Sequence, residues 1–546
     1  MSAAPRMGIA MLRAALAFGL AAIVVALSWV WLGTPVNMPP SPLAAGEKLY
    51  CVSYAPFRGT QTPLDRTLLI PREQIEQDLA RLAKVTDCVR TYATELGLAA
   101  VPEVAAKLGL KVLQGLWLGS DPVRNAAEIE TVVKLANEHR DTIRGVVVGN
   151  EVLLRGEMSD VDLAATIRTV KAQVPVPVTY ADVWEFWLRY RGLASAVDFI
   201  TIHILPYWED VPVSVDDAGR HINEIESKVA ATFPGREILI GEAGWPSAGR
   251  MREGALPSPA NQARLIHDLL ALAKRDGYRV NVIEAFDQPW KRQLEGTVGG
   301  HWGLFDATSR EAKFALGEPV SNRPFWLWQA IAGVVLVLWV GGIAHLVAHR
   351  HGKVVKVGWP AWAGLSLIAV SAGVFVPMAM EAAMLESLGW DGWLRNGALV
   401  LAAALAAPVA AAVLVEHRPL EGFGVVLDPA QRMVTDPWIK APALLLIVVT
   451  VLAIQGVLGL VFDPRYKDFP FAALTAAVVP LAVLAFYGPR GPQLAGRAEF
   501  AAAAVLAFAA VYLPLNETIA NWQALWTAGL WLLLAVTLWR VRGVRS

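Results

Sequence analysis

The chain has 546 residues, with Lys+Arg and Asp+Glu both totalling 48 and hydrophobic residues making up 55%. A zero charge balance without a basic tract excludes a nucleic-acid surface of the usual electrostatic kind. Two cysteines exclude a disulfide scaffold or a zinc module, and the length allows more than one domain.

The first element is an apolar run over residues 14–32, preceded by Arg6 and Arg13. It is long enough to cross about 30 Å of hydrocarbon. A cleaved signal peptide is the alternative. The run is long for one and ends in Trp-Val-Trp-Leu rather than at small residues, so residues 1–32 are expected to be an uncleaved anchor. A Pro-rich linker over 33–46 follows.

Residues 47–320 mix charge with periodic apolar runs. Strands are predicted at Leu49–Tyr54, Asp87–Tyr92, Lys111–Trp117, Gly145–Asn150, Val176–Tyr180, Asp198–His203, Glu237–Glu242 and Val280–Phe286. Helices are predicted at 73–84, 124–139, 160–172, 216–231 and 259–275, with start signals at Pro71, Asp121-Pro122, Ser159-Asp160 and Ser258-Pro259. Continuous apolar strands alternating with helices indicate a parallel sheet covered on both faces. Eight such units match a (β/α)₈ TIM barrel in size. A doubly wound open sheet is disfavoured, because no Gly-rich phosphate loop follows the first strand. Cys51 and Cys88 fall in neighbouring predicted strands. A bridge and two buried thiols are equally open readings, since adjacent parallel strands seldom present disulfide geometry.

Residues 325–546 are expected to form an all-α transmembrane domain. Its seven apolar runs lie near 325–346, 359–380, 394–415, 442–462, 470–487, 498–514 and 521–540, which with the anchor makes about eight spans. Basic residues cluster in alternate connections: His349, Arg350, His351, Lys353 and Lys356; then Arg490 and Arg497; then Arg540, Arg542 and Arg545. The positive-inside rule then puts both termini in the cytoplasm and 33–324 outside. Gln455 is one of the few polar residues inside a run, which argues against an ion-coupled pump and leaves an anchor, a docking platform or a passive conduit. Trp326, Trp328, Trp359, Trp362, Trp522 and Trp526 sit at span ends, where interfacial belts collect tryptophan.

In a TIM barrel, chemistry sits at the carboxyl ends of the strands. The fourth predicted strand ends in Val-Gly-Asn-Glu, giving Asn150 and Glu151. The seventh ends in Gly-Glu-Ala-Gly-Trp-Pro, giving Glu242 and Trp245. Two carboxylates converging on one mouth suit glycosidic cleavage, which needs a proton donor for the leaving oxygen and a partner for the oxocarbenium-like carbon. Glu151 is assigned as general acid/base, Glu242 as nucleophile, and Asn150 as a hydrogen-bond partner of the sugar 2-hydroxyl. The opposing possibility is that each Glu merely pairs with a barrel Arg.

With these residues in view, 48–318 resembles glycoside hydrolase family 17. Val-Gly-Asn-Glu (148–151) is similar to its acid/base motif and Gly-Glu-Ala-Gly-Trp-Pro (241–246) to its nucleophile motif. Ser-Tyr-Ala-Pro-Phe-Arg (53–58), Val-Arg-Thr-Tyr (89–92), Leu-Pro-Tyr (205–207) and Glu284 with Pro289-Trp290-Lys291 resemble its other strand ends. His203 stands where Asn is common, and Gln288 where many members have an acid. The resemblance implies β-1,3-glucan as donor and a covalent glucosyl-enzyme through Glu242, with no metal, nucleotide or other cofactor.

Candidate sugar contacts are Tyr54, Arg90, Tyr92, Tyr207, Trp208, Trp184, Trp245, Glu284 and Lys291. Arg90 and Lys291 are equally readable as ion-pair partners of a site Glu, and Tyr207 as a core residue. Trp184, Phe186, Trp187 and Trp208 are candidates for an acceptor platform, with Trp208 foremost. The same spacing also suits a buried helix face. The motifs do not separate hydrolysis from transfer. The multi-span architecture resembles bacterial membrane proteins of cyclic or branched β-1,3/β-1,6-glucan synthesis. That implies a glucosyltransferase in the bacterial inner membrane, facing the periplasm, with a glucan synthase as possible partner. A β-1,3-glucan hydrolase and a non-catalytic glucan-binding export subunit are the alternatives.

Overall fold

The computed structural model describes residues 4–350, 358–434, 436–489 and 496–542. It forms two compact units: one of Val36–Gly249 and Gly254–Val320, the other of Met1–Pro35, Arg250–Glu253 and Ser321–Ser546.

The first unit is a closed eight-stranded parallel barrel in which each strand pairs with its sequence neighbours and the last with the first. The strands are β1 (Cys51–Ser53), β2 (Cys88–Arg90), β3 (Lys111–Leu116), β4 (Ile143–Asn150), β5 (Val178–Val183), β6 (Ile200–His203), β7 (Ile238–Ala243) and β8 (Arg279–Val282). Runs such as Val146–Val148 in β4 and Ile238–Ile240 in β7 are buried along their whole length, as strands must be when helices cover one face and the barrel core the other. All eight expected strands are present, with two shifts. β5 runs on to Val183, because Ala181–Val183 pair with Thr201–His203 of β6. β8 stops at Val282, well short of Phe286.

The helices begin where the cap signals lie. Asp121 accepts from the Val123 and Arg124 amides, Ser159 from Asp162 and Ser258 from Asn261. Each such cap contributes about 1 kcal/mol by satisfying amides that have no intrahelical partner. Pro122 and Pro259 occupy the first helical turn, and Gly277 closes the last long barrel helix in a left-handed conformation behind Lys274 and Arg275. The Pro-rich stretch expected as a free linker is part of the barrel unit from Val36 onward, where Val36 pairs with Val320.

Cys51 and Cys88 form a disulfide. The register Val52↔Val89 puts them side by side at the start of β1 and β2, within a buried cluster that includes Leu113, Val147, Ala181 and Leu239.

The second unit is helical. Among the described residues, seven of its helices are long and apolar enough to cross a membrane: Leu12–Gly33, Trp326–Arg350, Pro360–Glu386, Gly389–Val415, Trp438–Phe462, Arg497–Glu517 and Trp522–Val541. The eighth expected span is a shorter apolar helix, Phe471–Tyr487, of 17 residues. Its length of about 25 Å is below a full hydrocarbon thickness. Small side chains carry the interior: Ala402, Ala403, Ala406, Ala407, Ala410 and Ala411 are all buried on one helix, which lets neighbouring backbones approach closely. Leu16, Leu20, Ile23, Leu27 and Trp31 are exposed on the first helix, as a lipid-facing surface requires. Among the span-end tryptophans, Trp328, Trp522 and Trp526 are exposed whereas Trp362 is buried in the helical core. His351, Lys353, Lys356, Arg490 and Arg545 lie outside the described residues, as does the side chain of Trp359.

The disulfide closes a loop of 37 residues. Replacing both cysteines by Ala is expected to lower the barrel's unfolding free energy by about 2–4 kcal/mol through the freer unfolded chain. Denaturant titration of the full-length protein in detergent, with and without reductant, measures it.

Candidate active site

The site is assembled at the carboxyl end of the barrel around Arg90, the last residue of β2. Its side chain is almost completely buried. Nη1 donates to the Gly241 carbonyl at 2.7 Å and to Glu242 Oε1 at 3.3 Å, and it lies 3.3 Å from His203 Nε2. Nη2 donates to Asn150 Oδ1 at 2.5 Å. One guanidinium therefore joins the ends of β2, β4, β6 and β7. It needs a glycine at 241, since a Cβ there would come within 2.3 Å of Thr201 Cγ2 and 3.3 Å of Arg90 Nη1. The second demanding glycine is Gly149, with φ +85°, where a Cβ would meet Val152 Cγ2 at 2.7 Å.

That turn delivers Glu151, itself at φ +53°. A non-glycine residue in the left-handed region is uncommon and costs energy, which the surrounding barrel must hold in place. Glu151 Oε1 is held by His203 Nδ1 at 2.8 Å. Burial pushes the Glu151 carboxyl up. The His203 hydrogen bond and the neighbouring cationic groups, Arg155 and Arg90 among them, outweigh burial and hold it below the ordinary carboxylate range. Arg155 donates to the Leu118 carbonyl at 2.7 Å and lies over the Trp117 ring at 4.2 Å.

Glu242 is buried in β7. Tyr92 donates to its Oε1 at 2.8 Å while sharing its hydroxyl with Ser53 Oγ. Arg90 and Tyr92 thus both address Oε1, leaving Oε2 without a hydrogen-bond partner among the described residues. β4 and β7 are separated by β5 and β6, so the two carboxylates meet above His203, whose strand register pairs it with Glu242. An oxygen of Glu151, a nitrogen of His203 and an oxygen of Glu242 all lie within 4.8 Å of one another. Such donors can ligate a cation, but Arg90 points its own positive charge into the same space, so the set fits a metal ion poorly.

A second, separate pair flanks the first. Glu284 is buried and takes Lys291 Nζ at 3.1 Å. Burial pushes the Glu284 carboxyl up to about 7, the Lys291 ammonium opposing it. Burial lowers the Lys291 ammonium, and the charges of Glu284, Glu295 and Glu242 raise it further than burial lowers it. Asp182, at the end of β5, is pushed up to about 6 by burial, against hydrogen bonds from the Tyr180 hydroxyl and the Val183 amide.

The other expected contacts divide. Trp208 stacks on Trp302, with centroids 6.3 Å apart and planes 16° apart. Tyr207 is fully buried and meets Trp208, Trp245 and Trp302 edge-on. Trp245 is fully buried and donates to the Leu256 carbonyl. Tyr54 lies in the core, its hydroxyl given to Asp78 at 3.2 Å. Trp187 is buried with Nε1 on the Thr201 carbonyl, whereas the half-buried Trp184 donates to Glu209. Gln288 braces the Ala55 and Phe286 carbonyls. The contacts of His203 and the positions of Asp182, Glu295 and Trp302 are additions to the residues assigned from sequence. A polar residue closing an apolar strand, as in Ile-Thr-Ile-His, is the signal that singles out His203.

Lys291→Met keeps the stem and removes the charge. It is expected to destabilise the barrel by about 3–5 kcal/mol by leaving Glu284 unpaired, and Glu284→Gln in the same chain is expected to recover most of that. Thermal or denaturant unfolding of the two variants reads the difference.

Comparison with known proteins places the barrel. Residues 51–303 match the family model of the BtgE/BtgC glycoside hydrolase domain. The chain is 27% identical over 272 residues to the glucan 1,3-beta-glucosidase of Saccharomyces cerevisiae, covering 44% of this chain and 84% of the yeast protein. It is 27% identical over 291 residues to btgC of Aspergillus niger, covering 47% of this chain and 41% of that protein, so it spans about two fifths of btgC. A solved beta-1,3-glucanosyltransferase of Rhizomucor miehei, an active-site mutant in complex with laminaritriose, aligns with 26% identity and a TM-score of 0.44 over 50% of this chain and 98% of the other. Residues 51–303, just under half of the chain, are thus similar to the BtgE/BtgC glycoside hydrolase domain.

Proposed function

We propose that the barrel is a retaining β-1,3-glucan-active enzyme, with Glu151 as general acid/base and Glu242 as nucleophile. The observation that carries this is the approach of their oxygens to within 4.8 Å. Retaining glycosidases keep their carboxyl groups about 5–5.5 Å apart, whereas inverting ones leave about 6.5–9.5 Å for a water. Glu242 Oε2 bonds to the anomeric carbon as the glycosidic C–O bond breaks. The bond's electron pair stays on the leaving oxygen, which takes the Glu151 proton. Glu151 then deprotonates the incoming hydroxyl. The free amide end of Asn150, its Oδ1 held by Arg90, suits the sugar 2-hydroxyl.

A sugar hydroxyl as acceptor gives transfer, and water gives hydrolysis. The part-exposed Trp208, backed by the buried Trp302 stacked on it, favours transfer, since a flat aromatic face holds a sugar where water would otherwise enter. Both lie on segments that follow strand ends, β6 and β8, on the side of the barrel that carries the carboxylates. We further propose that the enzyme is membrane-bound, with residues 33–324 on the outer side of a bacterial cytoplasmic membrane, remodelling or branching exported glucan. The alternation of basic connections supports the orientation, and the disulfide supports an oxidising compartment. The named relatives are fungal, so the bacterial assignment rests on the multi-span architecture alone.

The full-length protein in detergent, given a linear β-1,3-gluco-oligosaccharide, is expected to yield products longer than the substrate, with a β-1,6 signal by NMR if it branches. Only shorter products would make it a hydrolase. Glu242→Ala is expected to abolish the covalent adduct formed with a 2-fluoro-glucoside. Glu151→Ala is expected to lose about 10²–10⁴-fold in rate.

A further inference from the structure

The proposed chemistry gives His203 no task, yet the site is built around it. His203 ends β6, between the strands that carry the two carboxylates, and its side chain is fully buried. Nδ1 lies 2.8 Å from Glu151 Oε1, and Nε2 lies 3.3 Å from Arg90 Nη1 and 3.6 Å from Glu242 Oε1. A guanidinium offers only donors. The tautomer with hydrogen on Nδ1 leaves the Nε2 lone pair facing that donor group, and we take it as the one that serves the site. This tautomer aims Nδ1–H at Glu151. The charged groups around the ring are Arg90 from β2, Glu151 beyond β4, Asp182 from β5 and Glu242 from β7. Asp182 is occupied by the Tyr180 hydroxyl and the Val183 amide, so it does not compete for Nδ1–H.

We infer that His203 is a positioning residue for the general acid. This rests on Glu151 being the acid/base. The Nδ1–H bond fixes Oε1 and leaves Oε2, which has no hydrogen-bond partner among the described residues, to carry the catalytic proton. As that proton passes to the leaving oxygen, Glu151 becomes an anion and the Nδ1–H bond becomes charge-assisted, roughly doubling in strength. The contact therefore gains in the transition state over the ground state, which is the condition for it to accelerate the step. The Arg90 guanidinium, 3.3 Å from Nε2, favours the tautomer that makes the bond. An Asn at this position would put an amide N–H near Nδ1. A Gln would put its amide near Nε2, keeping an acceptor for Arg90 but offering Glu151 no donor.

The test uses the full-length protein in detergent with two substrates. One is a linear β-1,3-gluco-oligosaccharide, whose alkoxide leaving group needs the acid. The other is the 2,4-dinitrophenyl glycoside of the β-1,3-linked glucose disaccharide, whose leaving group does not. His203→Gln is expected to lower kcat/KM on the oligosaccharide by about 100-fold or more and on the dinitrophenyl glycoside by less than about tenfold, the same split as Glu151→Gln. His203→Asn is expected to restore the oligosaccharide rate to within about tenfold of the parent. Equal losses on both substrates, or a Gln variant as active as the Asn variant, would overturn the inference. A parent protein inactive on both substrates would sink the functional reading instead, which separates the two failures.

Discussion

The barrel mouth depends on how the buried guanidinium of Arg90 is satisfied. Taking an arginine out of water costs several kcal/mol unless charge and hydrogen bonds return what hydration supplied. Here the return comes from three acceptors on two other strands, Gly241 O, Glu242 Oε1 and Asn150 Oδ1, with His203 Nε2 beside them at 3.3 Å. A lysine could not reproduce it, because a point charge lacks the planar fork whose two ends reach β7 and β4. Once Arg90 is placed, Asn150 and Glu242 have one orientation each. The bare α-carbon of Gly241 is the geometric condition for all of this.

Around that cation the protein separates carboxyl groups by environment. Glu151 is held low by His203 and the arginines despite its burial. Glu284 and Asp182 are pushed up by burial, to about 7 and about 6. Glu284 raises a linkage of definite sign. A carboxyl raised above its unfolded value contributes stability that is complete below the unfolded value of about 4.3 and fades as pH rises through about 7. Lys291 limits this loss by giving the ionised form a partner.

The two units are packed by different rules. The barrel buries branched side chains against helices and exposes charge. The helical unit buries alanine and exposes leucine and tryptophan. The second pattern is what lipid selects, since a hydrocarbon surround offers helices no hydrophobic gain from large apolar contacts and leaves close packing of small residues to hold them.

Much of this was legible residue by residue. Eight apolar strands alternating with capped helices are local signals, carried by periodicity and by Asp121, Ser159 and Ser258 at helix starts. The placement of Glu151 and Glu242 at the ends of β4 and β7 was legible in the same way. Tertiary structure decided what depends on pairing between distant segments. The register of β1 on β2 joined Cys51 to Cys88, which spacing alone left open. The pairing of β5 with β6 extended β5 beyond the end that its own residues suggested. Closure of the barrel set His203 between the two carboxylates and Trp302 against Trp208. Local pattern fixes which face of an element is apolar and where the element starts. Which polar atoms meet is set by register and loop path, and those are properties of the closed barrel rather than of any one segment.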